Sequence, residues 1–346
     1  MDPLLFKIIL CVIIFVISLA VAAYATWGER KVAAILQDRI GPSRAGPFGL
    51  FQPLADGLKF FMKEEFIPSK SNKWLFILGP SLFMLTACMV SVVIPWGGNL
   101  TFGETVYSLQ ITDINIGILY MFGVVSMGIY GIMIGGWASN NKYSLLGALR
   151  ASSQMISYEI AMGLAIIALV MMTGTLSLRD IVAQQDGDFA YIVYQPLGFF
   201  IFMICSFAET NRAPFDLAEC ETELVGGYHT EYSSMKLGLY LFAEYINMFI
   251  SSAVMVTLYF GGYNFPFQHE VAEWLGLSAN GLTILQTVLF FGKIVGFILF
   301  FMWIRWTIPR FRYDQLMNLG WKVLLPLALA NIFITGIVMY LMGKLS

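Results

Sequence analysis

The chain has 346 residues, of which 58% are hydrophobic and only 12% are charged. Soluble domains typically carry about 25% charged residues, so this composition excludes a water-soluble fold. The formal net charge of −2 excludes a basic nucleic-acid-binding surface, and four cysteines without a C-x-x-C pair exclude a disulfide scaffold or a cysteine-rich metal site. The composition therefore indicates a polytopic membrane protein.

Apolar stretches of about 20 residues predict membrane-spanning helices. Eight such stretches are present, at residues 4–25, 75–95, 116–136, 156–174, 190–207, 237–260, 283–304 and 323–342. The fourth and fifth are short and interrupted by glycine or proline. Membrane β-strands are shorter and alternate in polarity, which these segments do not. The expected fold class is all-α, with eight transmembrane helices in a single membrane domain that covers residues 1–346.

The lysines and arginines predict the orientation of the chain. Sixteen of the 20 lie in four connections, at residues 26–74, 137–155, 208–236 and 305–322. By the positive-inside rule, these connections face the cytoplasm and both termini lie outside. Because Glu29, Arg30 and Lys31 follow the first span directly, that span is expected to be retained rather than cleaved as a signal peptide.

The first inner connection contains an amphipathic pattern. Leu54, Leu58, Phe61 and Met62 recur with helical spacing, while charged residues occupy another arc. This pattern predicts a surface helix at residues 54–65 that lies along the membrane. Two roles fit it: a stabilising collar, or a gate where a lipid-soluble molecule passes between lipid and protein.

The third inner connection is strongly acidic. Residues 209–223 contain five carboxylates and one arginine, Arg212. If the chain after Pro214 is helical, three of the carboxylates share an arc of about 60°. Clustered carboxylates repel one another, which suits groups that carry protons, although a solvated acidic face also fits the pattern. The candidate proton carriers here are Asp216, Glu219, Glu221, Glu223 and Glu231.

Three ionisable residues fall inside predicted spans. Glu159 lies about one turn into the fourth span, Glu244 about two turns into the sixth, and Lys293 midway along the seventh. Ionisable groups at such depth are costly and by default mark a pathway. Glu159 could instead reach the membrane surface, but Lys293 reaches it poorly and needs a carboxylate or water as a partner. Together these residues predict a proton relay.

The last inner connection carries Arg305, Arg310 and Arg312 among aromatic residues. Either anchoring by positive charge or docking to carboxylates of a partner fits this pattern. The chain contains no nucleotide-binding glycine fingerprint and no iron–sulfur cysteine spacing. No histidine pair in the spans could hold haem, and no metal site is predicted. Any redox chemistry must therefore belong to partner subunits.

Four motifs in these connections closely resemble the H-subunit family of proton-pumping NADH–quinone oxidoreductase, respiratory complex I. The resemblance runs from about residue 25 to residue 342. The motifs are GERK at 28–31, QDRIGPSRAGPFGLFQPLADGLK at 37–59, ETNRAPFDLAECETELVGGYHTEY at 209–232 and PRFRYDQLM at 309–317.

The resemblance implies a protein of a bacterial inner membrane with quinone as substrate. Its partners would be small and antiporter-like membrane subunits and a peripheral arm that holds the flavin and iron–sulfur clusters. Residues implied to line the quinone chamber or its access tunnel are Glu29, Arg30, Arg39, Arg212 and Asp216. The implied acidic path from the chamber comprises Glu219, Glu221, Glu223, Glu159, Glu231 and Glu244, and Lys293 is a candidate counter-charge.

Three alternatives remain from the sequence. An equivalent subunit of a membrane-bound hydrogenase would share the fold but use a different electron source. A solitary cation/proton transporter could use the same buried carboxylates, although it would need a midplane site built on broken helices. A purely structural anchor is compatible with the docking connections but leaves Glu159, Glu244 and Lys293 unexplained.

Overall fold

The computed structural model describes residues 2–103, 105–187, 189–216 and 224–343. Within these residues the chain is almost entirely helical. In chain order the helices are α1 (Pro3–Leu36), α2 (Gln52–Met62), α3 (Lys73–Met89), α4 (Gly117–Ala138), α5 (Lys142–Thr173), α6 (Leu178–Ala183), α7 (Tyr191–Tyr194), α8 (Pro196–Glu209), α9 (Ser234–Tyr259), α10 (Gln268–Trp274), α11 (Ala279–Thr307), α12 (Tyr313–Asn318) and α13 (Leu325–Leu341). An antiparallel hairpin of β1 (Asn99–Phe102) and β2 (Thr105–Ser108) connects α3 to α4.

Seven helical segments in the described part of the chain are long and apolar enough to cross a membrane. Each coincides with a predicted span. In the last one, a π-helical turn at Leu319–Leu324 joins α12 to α13. The predicted fold class, an all-α polytopic membrane protein, is confirmed. The positions of the two termini relative to the membrane remain predictions.

The predicted fifth span, residues 190–207, is an interrupted helix. The backbone of Gln195 is non-helical, with φ −129° and ψ 53°, and Pro196 begins α8. Proline disfavours helical conformation in the residue before it but is well tolerated in the first turn of a helix, so the break falls between α7 and α8. The 14 residues of α8 form a shorter apolar helix, and an eighth span therefore remains a prediction.

Two helices extend well beyond the predicted spans. Helix α1 continues through Glu29 to Leu36, past the predicted end of the first span at residue 25. Helix α5 begins at Lys142, where the side chain of Asn141 accepts a hydrogen bond from the Tyr143 amide, so most of residues 137–155 are helical. The physical reason is that bilayer thickness limits the apolar part of a helix, whereas the helix itself continues until a cap or breaker ends it.

The predicted surface helix is present as α2, which begins two residues earlier than expected and ends at Met62. The residues of the predicted apolar arc point away from the rest of the chain: the exposed fractions of Leu54, Leu58 and Phe61 are 60%, 60% and 71%. On the other side, the Ser234 hydroxyl donates to the carbonyl oxygen of Phe60 at 3.0 Å. Helix α2 is therefore fixed to the start of α9 while its apolar face is free to contact lipid.

Helix α9 forms the centre of the molecule, and most of its residues are buried. It packs against α1, α2, α3, α8 and α11. Aromatic stacking fixes its C-terminal half, because the ring centroid of Trp96 lies 5.6 Å from those of both Phe249 and Phe291. A helix buried on nearly all sides has few exposed positions at which a charge can reach solvent. Of its two charged residues, Lys236 lies in the first turn and pairs with the exposed Glu65, whereas Glu244 must find its partners inside the protein.

The contact of the Tyr240 side chain of α9 with α4 depends on Gly135. A Cβ atom at this position would overlap the hydroxyl oxygen of Tyr240, which donates to the carbonyl oxygen of Gly131 at 3.1 Å. We therefore expect Gly135→Ala to destabilise the protein by about 1–3 kcal/mol, as overpacking typically does. Thermal unfolding of the detergent-solubilised protein measures this. Gly163→Ala is the control, because a Cβ at Gly163 would have no atom within 4 Å; equal stability of the two variants would contradict the prediction.

Candidate functional site

A cavity of about 350 Å³ lies between α1, α2, α9, the end of α11 and the segment that contains Arg212. Its volume is within the range typical of small-molecule sites. The wall combines charged and apolar groups. Its polar residues are Thr26, Glu29, Arg30, Asp56, Lys59, Arg212 and Tyr245, and its apolar contributors are Ala23, Pro53, Gly57, Phe60, Leu241, Phe242 and Trp306. We call it the α1–α9 cavity.

Glu29 organises the charged part of this cavity. The Oε1 atom of Glu29 lies 2.5 Å from Nη1 of Arg305, and Oε2 accepts a hydrogen bond from the Tyr245 hydroxyl at 2.7 Å. The residue is only 7% exposed, so its negative charge depends on these partners for compensation. One carboxylate thereby joins α1, α9 and α11.

Arg212 links the cavity to Glu244 behind it. Its guanidinium carbon lies 4.2 Å from the ring centroid of Tyr245, and its Nη2 atom lies 2.8 Å from Oε2 of Glu244. Oε1 of Glu244 accepts from the Tyr228 hydroxyl at 2.9 Å. The side chains of Arg212 and Glu244 are only 9% and 1% exposed. In a buried pair of this kind each charge compensates the other, so a change in the charge of one partner destabilises the charge of the other.

The local sequence explains why one arginine can make both contacts. Glu244 and Tyr245 are consecutive residues on α9 and therefore project about 100° apart around its axis. Tyr245 faces the cavity wall, whereas Glu244 faces Tyr228 and the protein interior. Arg212 contacts both side chains, so its position is sensitive to charge in the cavity and to charge on Glu244.

Tyr228, which donates to Glu244, is the first of three tyrosines whose rings contact one another. The ring of Tyr228 lies edge-on to that of Tyr240, with centroids 5.0 Å apart, and Tyr240 lies edge-on to Tyr232 at 5.1 Å. Burial raises the pKa of Tyr232 to about 12, so its phenol stays neutral near pH 7. The neighbouring carboxylate of Glu231 accepts a hydrogen bond from Asn141 Nδ2 at 2.6 Å. Glu231 thus lies beside this tyrosine cluster but is anchored to α5.

Asp216 is buried and joins the acidic segment to the last inner connection. Its Oδ2 atom lies 3.2 Å from Nη2 of Arg310, and the backbone amide of Phe311 donates to the carbonyl oxygen of Pro214 at 3.1 Å. All three predicted docking arginines therefore lie near carboxylates of this same chain, since Arg305 pairs with Glu29 and Arg312 lies 3.8 Å from Asp314. The other carboxylates predicted in the acidic segment, Glu219, Glu221 and Glu223, lie outside the described residues.

Glu159 has no described contact with the Arg212–Glu244 pair. Its Oε1 atom accepts a hydrogen bond from the Ser126 hydroxyl of α4. Glu209, at the end of α8, is another partly buried carboxylate. Glu209 lines a small cavity of about 20 Å³ together with Asn247 and Ser251 of α9. No described contact joins Glu159 or Glu209 to the Arg212–Glu244 pair, although Asn247 and Ser251 lie on the same face of α9 as Glu244.

Lys293 belongs to neither group. Its ammonium group donates to three backbone carbonyl oxygens in the connection that follows α9. The sequence predicted a carboxylate or water as its partner, whereas its described acceptors are these carbonyls. Mid-span depth alone indicates that a lysine needs acceptors, but it does not indicate which kind.

The two remaining residues predicted for the quinone site are Arg30 and Arg39, and only Arg30 lines the α1–α9 cavity. Arg30 lines the α1–α9 cavity and lies 2.8 Å from Asp56 on α2, so it connects the two helices at the cavity wall. Arg39 is exposed, donates to Gln37 at 2.7 Å and lies outside the cavity lining of this chain.

Several site residues were not singled out as such from the sequence. Tyr228 and Tyr245 looked like ordinary aromatic residues of a motif and a span, and Arg305 was assigned to anchoring or docking. Glu209 was counted in the acidic segment without a role. A signal was available for Glu209 and Arg305, because each charge directly follows or ends an apolar run. For the tyrosines the sequence carried no such signal.

Comparisons with known proteins match the chain over nearly its whole length. The model of a family described as NADH dehydrogenase matches residues 8–336. The H 1 subunit of NADH-quinone oxidoreductase from Cytophaga hutchinsonii is 71% identical over 333 residues, which cover 96% of each chain. The corresponding H subunit from Flavobacterium psychrophilum is 62% identical over 97% of each chain, and the H 1 subunit from Geobacter metallireducens is 48% identical over 95% of each chain.

Proposed function

The chain belongs to the NADH dehydrogenase family, and relatives at 62–71% identity are H subunits of NADH-quinone oxidoreductase. We propose that it forms the quinone-binding and proton-relay part of that enzyme. It would act in a bacterial inner membrane with its basic connections toward the cytoplasm. The observation that carries the proposal is the shared position of Arg212, which lines the α1–α9 cavity and also pairs with buried Glu244.

The α1–α9 cavity has the chemistry of a quinone site. Apolar residues such as Phe60 and Phe242 suit an isoprenoid chain, and the cationic groups of Arg30 and Arg212 can donate to quinone carbonyl oxygens. Helix α2 forms part of the wall and presents its apolar face outward. A lipid-soluble substrate could therefore approach from the bilayer, which favours the gate over the collar as the role of α2.

Reduction of a quinone takes two electrons and two protons. In our proposal the electrons come from flavin and iron–sulfur clusters in peripheral partner subunits, and this chain contributes binding and proton movement. Negative charge that develops on the quinone oxygen attracts Arg212 and weakens its pairing with Glu244. Because burial disfavours an uncompensated carboxylate, Glu244 then favours taking up a proton.

From Glu244, protons would move through the acidic series toward small and antiporter-like membrane subunits. The route is proposed to use Glu159, Glu209, Glu231 and Asp216, together with the acidic residues Glu219, Glu221 and Glu223. Transfer between Glu159 and Glu209 and the Arg212–Glu244 pair would need water molecules or movement of side chains, because no described contact joins them.

Photolabelling tests the chamber assignment. A quinone with a photoreactive headgroup, bound to the purified complex, is expected to label peptides that contain residues 23–30 and 241–245. Excess unlabelled quinone should suppress this labelling. Peptides of α13 are the internal control, because α13 contributes nothing to the cavity wall. Competable labelling elsewhere in the complex, with none at these two segments, would remove the chamber assignment.

A further inference from the structure

Lys293 lies in the middle of α11, and its ammonium group has a complete set of hydrogen-bond acceptors. Its Nζ atom lies 2.9 Å from the carbonyl oxygen of Phe260, 2.9 Å from that of Gly262 and 2.6 Å from that of Asn264. An ammonium group has three N–H donors, so each donor has an acceptor. These three carbonyls form what we call the carbonyl cage.

The backbone of the cage segment is shaped for this contact. Helix α9 ends at Tyr259, and Gly261 and Gly262 adopt φ values of 74° and 57°, which turn successive carbonyls toward one point. Such left-handed conformations favour glycine. Gln185 satisfies neighbouring backbone groups: its Oε1 accepts from the Gly261 amide at 3.0 Å and its Nε2 donates to the Thr257 carbonyl at 3.3 Å.

Non-helical backbone at membrane depth requires partners inside the protein, because lipid supplies none. Converging carbonyls at the end of a helix carry partial negative charge, both from their own dipoles and from the helix dipole. In transporters, comparable unwound segments coordinate small cations. The carbonyl cage has this chemistry, and its occupant is a cation tethered to the neighbouring helix.

We propose that the carbonyl cage is a monovalent-cation site whose built-in occupant is the Lys293 ammonium group, and that this contact positions the outer end of α9. The inner part of α9 is fixed differently, through the Tyr245–Glu29–Arg305 contacts. Lys293 and Arg305 lie 12 residues apart on α11, about 18 Å along the helix. Two cations on one helix therefore set the position of α9, and with it that of Glu244.

The cage does not favour a lysine that passes protons onward. A neutral amine keeps two N–H donors and turns a lone pair toward one carbonyl oxygen, so loss of the proton would break one contact and add a repulsive one. None of the described acceptors of Lys293 is a group that could receive the proton, since all are amide carbonyls. The proposal thus gives Lys293 a positioning role in place of the relay role predicted from its depth.

The test uses Lys293→Ala, Lys293→Met and Lys293→Arg in the assembled, detergent-solubilised complex. In Lys293→Ala the lost side chain corresponds to propylammonium, which can enter the cage as a free cation. We expect Lys293→Ala to shorten the half-life of the complex at elevated temperature about tenfold, the effect of losing roughly one charge-assisted hydrogen bond. Propylammonium chloride should restore most of the half-life, whereas sodium chloride at equal ionic strength should restore less. Lys293→Arg keeps the positive charge and should lose less of the half-life than Lys293→Ala.

Lys293→Met fills the same space with an apolar side chain, so propylammonium should not restore it. Half-life is read as intact complex on native gels, which requires no quinone chemistry and stays informative even if the proposed function fails. A Lys293→Ala complex as stable as the parent, or one insensitive to propylammonium, would overturn the cation site. Loss of protons pumped per electron in stable Lys293→Met vesicles would return Lys293 to the relay.

Discussion

Replacement of Arg212 with methionine is expected to lower NADH–quinone turnover about 10- to 100-fold, the consequence of removing a charge-assisted hydrogen bond worth about 1.5–3 kcal/mol from the reacting site. The guanidinium group contacts the Tyr245 ring and pairs with Glu244 at 2.8 Å. Methionine retains much of the volume but leaves Glu244, which is 1% exposed, without its positive partner. The measurement is turnover of the purified complex at saturating quinone.

A double-mutant cycle separates the role in coupling from a role in folding. Breaking a buried ion pair on one side typically costs about 3–5 kcal/mol, so Arg212→Met is expected to lower the amount of assembled complex as well. Arg212→Met combined with Glu244→Gln removes both charges and should recover assembly. If this double variant also recovered proton pumping, the pair would be structural and the relay through Glu244 would be wrong.

The control for this cycle is Arg179→Met on the opposite side of the protein. Arg179 also pairs with a carboxylate, Asp113, but the distance is 3.7 Å and the side chains are 34% and 44% exposed. Pairs exposed to this extent typically contribute about 1 kcal/mol or less. Turnover of Arg179→Met should therefore stay within about twofold of the parent. A comparable loss in both variants would indicate a general effect of removing an arginine.

The fold was largely predictable because membrane helices are encoded locally. A bilayer demands an apolar run of fixed length, and each of the seven long apolar helices in the described residues coincides with a predicted span. The predicted surface helix likewise follows from residue spacing alone. Helix ends were less predictable, since α1 and α5 run well past the apolar segments. Caps and breakers decide these ends, and neither depends on the membrane.

The site was predictable only in part, for a related reason. Depth in a span marked Glu244 and Lys293 as unusual, but partner choice depends on how distant segments pack. Nothing in the sequence near Glu29 indicates that Arg305, close to the other end of the chain, lies 2.5 Å from its carboxylate. The carbonyl acceptors of Lys293 could not be predicted from the sequence either, because they arise from backbone conformation rather than from side-chain identity.

Replacement of Glu29 with glutamine is expected to lower turnover about 30-fold and to raise the quinone KM, since about 2 kcal/mol is the typical value of a charge-assisted hydrogen bond. The substitution keeps the shape of the side chain but leaves Arg305 without its carboxylate partner. It also weakens the acceptor for the Tyr245 hydroxyl, whose ring lies under Arg212. Both cations at the charged end of the cavity would then be less well positioned.

Tyr245→Phe distinguishes these two consequences, because it removes the hydrogen bond to Glu29 while it keeps the aromatic ring beside Arg212. A smaller loss of about tenfold is expected, since the Glu29–Arg305 pair remains. Glu65→Gln is the matched control: Glu65 also pairs with a cation, Lys236, but its side chain is 57% exposed and lies outside the cavity wall. If Glu29→Gln altered turnover no more than Glu65→Gln, Glu29 would serve only to join three helices. Quinone chemistry would then have to depend on Arg212 without support from Glu29.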